Sequence, residues 1–297
     1  MEIENRVSPL KLIWWIIRFL ILYLLAITLV VTITMFIQQM IFKWSLIMIN
    51  APENQFFVIT PMFAVFCIAY TEFHLKYIDK QNVDWLKIKL GLVEGFEFLK
   101  GFTGGILIFG SFLILFIIFT STRMMFNEAF SLLSTVYVIL ALLLLAFFEE
   151  YVYRGYLYNL ITKHSNRFWG IFISSLIFLI FHLANSNIGV IGIVNIFAFG
   201  VLLALIYERC KNLYLITGIH FIWNFLSVFC GFQVSGIKLE FLPIKITLGD
   251  APEIITGGQF GPEGSIITTI ILTVLIVWYI LKTKNILGGK IGLRIFT

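Results

Sequence analysis

The chain has 297 residues, of which 60% are hydrophobic and only 12% charged, and its formal net charge is +5. A soluble domain carries about a quarter charged residues, and a soluble fold of this length cannot hide so much apolar surface in one core. The composition therefore excludes an ordinary soluble protein and places the chain in a bilayer. The basic excess does not indicate nucleic acid, because Lys and Arg fall in short segments between apolar runs and form no stripe interleaved with aromatics.

Eight runs are long enough to cross the hydrocarbon layer, which takes about 20 apolar residues. In chain order they are 13–38, 56–74, 102–122, 132–163, 168–185, 188–208, 212–232 and 264–282. The first is too long for a signal-peptide core and no small-x-small cleavage site follows it, so it reads as a spanning helix. Pro61 is expected to kink the second, with neighbours satisfying the freed backbone. The mixed-charge connection 75–101, with Trp85, Phe96 and Phe98, is expected to form an interfacial amphipathic helix. The connection 233–263, with Pro243, Pro252, Pro262 and several glycines, reads as an outer loop. Cys67, Cys210 and Cys230 form no CxxC pair and are expected to act as small hydrophobes.

Counting basic residues orients the chain. With a cytoplasmic amino terminus, 16 of the 21 Lys and Arg, Arg154 among them, fall in cytoplasmic segments and 4 in outer ones, Arg18 lying inside the first span. That asymmetry puts both termini in the cytoplasm. The expectation is an all-α polytopic bundle of about eight transmembrane helices, one membrane domain over 1–297. Its location is the cell membrane in a prokaryote or the endoplasmic reticulum membrane in a eukaryote.

Ionisable side chains inside spans carry the functional information, since each costs about 2.5–3.5 kcal/mol at mid-bilayer on insertion scales. The fourth run holds Glu149, Glu150 and Arg154, the fifth His182, and the seventh His220 and Asn224. Glu150 and Arg154 are four apart and can pair on one helix face. His220 and Asn224 share a face for the same reason. If the fourth helix continues to Lys163, Glu149 and His182 both lie roughly 21 Å from the turn between the fourth and fifth helices, at 1.5 Å per residue. Asn224 lies roughly 18 Å along its own helix, with His220 one turn lower. One Glu, two His and one Asn are thus expected to meet near mid-membrane. His74, at a helix end, and His164, in a turn, are expected to be solvated, and most of the phenylalanines to face lipid or packing partners.

Two chemistries suit such a set. A carboxylate facing a histidine can hold and deprotonate water while a second histidine and an amide donate to the oxyanion of a peptide carbonyl. Alternatively Glu149, His182 and His220 can ligate a zinc ion, although the HExxH helix of the familiar zinc proteases is absent. Two non-hydrolytic readings use the same residues: a proton-coupled transporter, for which no paired repeats or matched broken helices are visible, and a non-catalytic membrane immunity or binding protein.

The pattern Glu149-Glu150-x-x-x-Arg154, then Phe178-x-x-x-His182, then His220-x-x-x-Asn224 resembles the three motifs of the CPBP family, over about residues 141–230. That family contains type II CAAX prenyl endopeptidases and bacteriocin-processing or self-immunity membrane proteins. The resemblance implies a catalytic core in 141–230 and an endopeptidase acting on a membrane-anchored protein or peptide, prenylated CAAX proteins being one substrate class. It implies Glu149 and His182 as the water-activating pair, His220 and Asn224 as oxyanion stabilisers, and Glu150 and Arg154 as support. No cofactor is required on this reading, zinc being the alternative.

Overall fold

The computed structural model describes residues 7–42, 52–79, 91–239 and 241–286. Eight long helices follow the eight apolar runs: α1 (Pro9–Phe42), α2 (Pro52–Phe73), α3 (Leu92–Phe119), α4 (Leu132–His164), α5 (Arg167–His182), α6 (Val190–Cys210), α7 (Leu213–Phe229) and α8 (Ile266–Ile286). Four stretches, Pro9–Ile33, Leu92–Phe119, Leu132–His164 and Val190–Cys210, are long and apolar enough to cross a membrane by themselves. The fold is an all-helical membrane bundle in which α1 packs on α2, α2 on α4, α4 on α7, α7 on α3, α3 and α6 on α8, and α5 on α6.

Helix length and burial sort these elements. α5 and α7 have 16 and 17 residues, about 24–26 Å of helix against roughly 30 Å of hydrocarbon. α7 is an inner element, whereas α5 exposes Phe168, Phe172, Leu176 and Ile180 along one face. Every residue from Ile216 to Asn224 on α7 is buried, as expected of a helix that is apolar on all sides and wrapped by protein. The lipid-facing helices show one-sided exposure instead: Ile270, Val274, Val277 and Leu281 form a helical stripe on α8, and Ile114, Ile117 and Ile118 lie exposed on α3.

α3 reaches α7 through glycine. A Cβ on Gly101 would lie 1.8 Å from the Leu215 carbonyl oxygen, and one on Gly105 would lie 2.1 Å from Ile222 Cγ2. From the other side, a Cβ on Gly218 would lie 2.4 Å from the Phe98 carbonyl oxygen. This is the small-residue packing that membrane helices use to bring backbones together, and it fixes the helix that carries His220 and Asn224.

α4 is not uniform. Ser131 caps its start by accepting the Ser134 amide at 3.3 Å, and the helix stays α-helical to Glu150. Tyr151–Tyr158 then widen into π-helical turns, all eight residues buried, before α-helix resumes over Asn159–His164. Such widened turns often accompany functional sites, and here they begin directly after the acidic pair.

Several expectations need correction. α3 begins at Leu92, so 92–101 is the first part of a long helix, because the sequence there breaks nothing between the loop and the apolar run. The rest of the expected interfacial helix, with Trp85, lies largely outside the described residues, as do several basic residues used for orientation. The 233–263 connection is structured. Its strand β2 (Ile244–Thr247) pairs antiparallel with β1 (Arg123–Phe126), Arg123 opposite Thr247 and Phe126 opposite Ile244. α2, which contains Pro61 as expected, ends in a π turn, His74–Ile78.

The two histidines expected in solvent are buried. His74 is fully buried, with Nδ1 3.3 Å from Asp79, whose carboxylate also takes Arg18 and, at 2.7 Å, the Tyr156 hydroxyl. Asp79 brings a charge to the foot of α2, and the surrounding donors fold over it; burial opposes its ionised form, but bonds from His74 and Tyr156 and the charges of His74 and Arg18 outweigh burial and lower its pKa. His164 is also buried, edge-on to Trp15. Arg154 is likewise interior and does not report on orientation.

The glycine contacts give a paired prediction. Gly105→Ala is expected to lower the midpoint of thermal unfolding in detergent, by overpacking worth about 1–3 kcal/mol. Gly104→Ala, where a Cβ meets nothing within 4 Å, is expected to hold or raise it, since alanine is the better helix former by roughly 0.5–1 kcal/mol. Equal midpoints for the two variants would contradict the packing described.

Candidate active site

The last α-helical turn of α4 places Glu149 and Glu150 on adjoining faces. Glu150 points inward and is fully buried, and Glu149 points into a cavity. Arg154, also fully buried, donates from Nη1 to Glu150 Oε1 at 3.0 Å and lies 2.9 Å from Oε2. Its Nη2 donates to the Gly200 carbonyl on α6 at 3.0 Å, and its guanidinium stacks on Phe178 with the centroid at 4.8 Å. A Cβ on Gly200 would stand 3.4 Å from that Nη2 and 3.1 Å from Ser175 Cβ, so α6 passes close because the position is glycine.

His220 joins this pair from α7. Its Nδ1 donates to Glu150 Oε1 at 2.8 Å, and its Nε2 lies 3.5 Å from Glu149 Oε2. Glu150 therefore serves two donors, Arg154 and His220. The sequence assigned it to Arg154 alone, because helical spacing reveals partners on the same helix and not across helices. The His220 ring is held edge-on by Phe199 at 5.4 Å.

His182 ends α5. Its Nδ1 donates to the Phe178 carbonyl one turn back at 2.8 Å, and because a carbonyl only accepts, this bond leaves Nε2 with a lone pair. Asn224 is buried one turn beyond His220. Glu149, His182, His220 and Asn224 all line one cavity of about 320 Å³. Tyr23, Phe63, Phe148 and Phe181 supply apolar wall, and Ser235, Asn185 and Glu263 supply polar wall. The cavity is thus amphipathic, suited to a ligand with an apolar part and a peptide part.

Among the described residues no three His, Cys, Asp or Glu side chains converge as a ligand set. His220 gives Nδ1 to Glu150 and turns Nε2 to Glu149, an orientation that a metal-binding imidazole also takes. Cys67, Cys210 and Cys230 are free thiols.

Glu263 is the cavity residue that the sequence did not suggest. It lies on a single 3-10 turn, Pro262–Gly264, just before α8. Its only visible signal was an acidic residue between glycines and a proline at the mouth of an apolar run. Burial raises its pKa, and bonds from Ser235 and Trp223 and the charge of the nearby His220 offset this only in part.

The buried network yields a stability prediction. Arg154→Met leaves the Glu150 carboxylate in the interior with His220 as its remaining donor, and breaking such a pair costs about 3–5 kcal/mol. The variant is expected to unfold at markedly lower temperature in detergent or to fail to accumulate. A midpoint equal to that of the unaltered protein would show that the pair carries no structural weight.

No curated protein matches the chain. The family model described as type II CAAX prenyl endopeptidase Rce1-like matches residues 131–226, about a third of the chain. That segment begins at the cap of α4 and ends near the end of α7. It contains Glu149, Glu150, Arg154, His182, His220 and Asn224, and over it the resemblance to the CPBP family of membrane proteases is shown.

Proposed function

We propose that this protein is an intramembrane endopeptidase that hydrolyses a peptide bond of a membrane-anchored protein or peptide, prenylated CAAX-type substrates being the first class to test. The observation that carries the proposal is the shared cavity: four polar side chains from three helices line one amphipathic space, within the segment that matches the protease family.

The chemistry follows from the hydrogen bonds. A water between Glu149 and His182 gives a proton to the Glu149 carboxylate as its oxygen attacks the scissile carbonyl carbon. His182 Nε2, turned outward by the bond from Nδ1 to Phe178, accepts the second hydrogen of that water and orients it. The developing oxyanion takes hydrogen bonds from the Asn224 amide and from His220 Nε2–H. With Nδ1–H given to Glu150, His220 can donate from Nε2 only while that nitrogen also carries a proton, and Glu149 at 3.5 Å is the group that exchanges it. The proton on Glu149 then passes to the leaving nitrogen as the C–N bond breaks, and the remaining proton of the attacking water, released from the new carboxylic acid, passes to the amine, so that the products are a carboxylate and an ammonium. No metal enters these steps, and both termini are assigned to the cytoplasm by the charge asymmetry.

Purified protein in detergent is expected to cleave a farnesylated CAAX peptide, with Glu149→Ala lowering the rate by about 10²–10⁴-fold, the usual worth of a general base. Full activity in Glu149→Ala, or ion-coupled uptake into proteoliposomes that depends on Glu149, would replace this reading with binding or transport. A strong chelator such as 1,10-phenanthroline is expected to leave cleavage intact, and inhibition reversed by added zinc would establish the metalloprotease alternative.

A further inference from the structure

Part of the cavity wall comes from the segment between α7 and α8, outside the part of the chain that matches the protease family. This segment is firmly fastened. Val234 and Ile237 exchange backbone hydrogen bonds at 3.0 and 2.9 Å, and the two residues between them, Ser235 and Gly236, both have positive φ, 50° and 81°. That is the geometry of a type I′ hairpin turn. Glycine adopts it freely, whereas serine does so at a cost in backbone strain.

The strained serine faces Glu263. Its backbone N–H donates to Glu263 Oε2 at 2.9 Å and its hydroxyl to the same oxygen at 2.7 Å. The backbone around Glu263 is held as well: the Asn195 amide on α6 donates to the carbonyls of Glu263 and Ser265 at 2.7 and 2.9 Å, while Asn195 Oδ1 accepts from Thr269 at 2.7 Å. Gly261, at φ 88°, lets this strand pass the Gln233 carbonyl where a Cβ would come within 2.0 Å. Two chain segments and one membrane helix thus converge to hold one buried carboxylate on the cavity wall.

A carboxylate so placed has a consequence for whatever binds. Among the described residues no lysine or arginine pairs with Glu263, whose charged neighbour is His220, whereas Glu150 has Arg154. An ionised carboxylate only accepts hydrogen bonds. In a low-dielectric cavity it favours a donor or cationic group and opposes another carboxylate far more than it would in water.

We propose that Glu263 is a specificity-determining residue of this site, selecting peptides that place a hydrogen-bond donor or a cationic side chain against the wall formed by the segment between α7 and α8, and disfavouring those that place a carboxylate there. The proposal rests on the peptidase reading for its ligand class. Its test is therefore a binding measurement that needs no turnover.

Three farnesylated CAAX peptides, identical except for Lys, Gln or Glu at the residue following the modified cysteine, are titrated against the Glu149→Ala protein in detergent by fluorescence anisotropy. A second set with the substitution one residue further on covers the neighbouring register. The same titrations use Glu149→Ala carrying Glu263→Gln. In at least one register the Lys peptide is expected to bind roughly tenfold tighter than the Glu peptide, the order of one charge-assisted hydrogen bond. Glu263→Gln is expected to abolish that ratio. A purely structural Glu263 would weaken all peptides together and leave the ratio unchanged, which would overturn the proposal, as would equal binding of all peptides in both registers. Cleavage of the same peptides by the protein with Glu149 in place is scored separately. A Glu263-dependent preference without cleavage would sink the peptidase reading and keep the selectivity.

Discussion

The site depends on one buried carboxylate with two donors. Glu150 receives Arg154 along its own helix and His220 from α7. An arginine taken into the interior must be neutralised and hydrogen-bonded, or the fold does not tolerate it. Glu150 and the Gly200 carbonyl meet that demand, and Phe178 covers the guanidinium face. Once Glu150 is fixed, the bond at 2.8 Å from His220 Nδ1 fixes the ring and turns Nε2 toward Glu149. The neighbouring carboxylate is then free to face the cavity. Two adjacent glutamates thus take different tasks because helical geometry points them to different environments.

Packing supplies the accuracy that this arrangement needs. The His220 helix is held against α3 through Gly101, Gly105 and Gly218, where no side chain separates the backbones. The π-helical turns after Glu150 place a wholly buried run of aromatic and polar residues between α4 and its neighbours. The Asn212 side chain caps the start of α7 by accepting the Tyr214 and Leu215 amides at 2.9 and 3.3 Å, which sets the depth of His220 two turns later.

Much of this was legible in the sequence. The eight helices follow the apolar runs, because length and hydropathy are what a bilayer demands of a helix. The residues that meet in the cavity are the ionisable and amide side chains that were conspicuous inside those runs, since such groups are costly in lipid and gather against one another. Contacts that join different elements were less legible. The bond between Glu150 and His220 crosses 70 positions, and spacing along one helix says nothing about it. A position at a helix end suggests a solvated His74, yet Asp79 and Tyr156 enclose it. The glycines and prolines between α7 and α8 deny that segment a helix and suggest a loop. Those same residues allow the tight turns and close passes that carry Glu263 to the cavity wall.

The cavity joins these levels: an apolar wall, the four polar groups of the proposed hydrolytic set, and the Glu263 carboxylate. The most direct measurement is a structure of the Glu149→Gln protein with an uncleaved farnesylated CAAX peptide bound. The account predicts the scissile carbonyl oxygen within hydrogen-bonding distance of His220 Nε2 and Asn224 Nδ2, with the apolar chain along Phe63 and Phe181. A peptide bound outside this cavity, or one whose scissile carbonyl points away from His220 and Asn224, would contradict it.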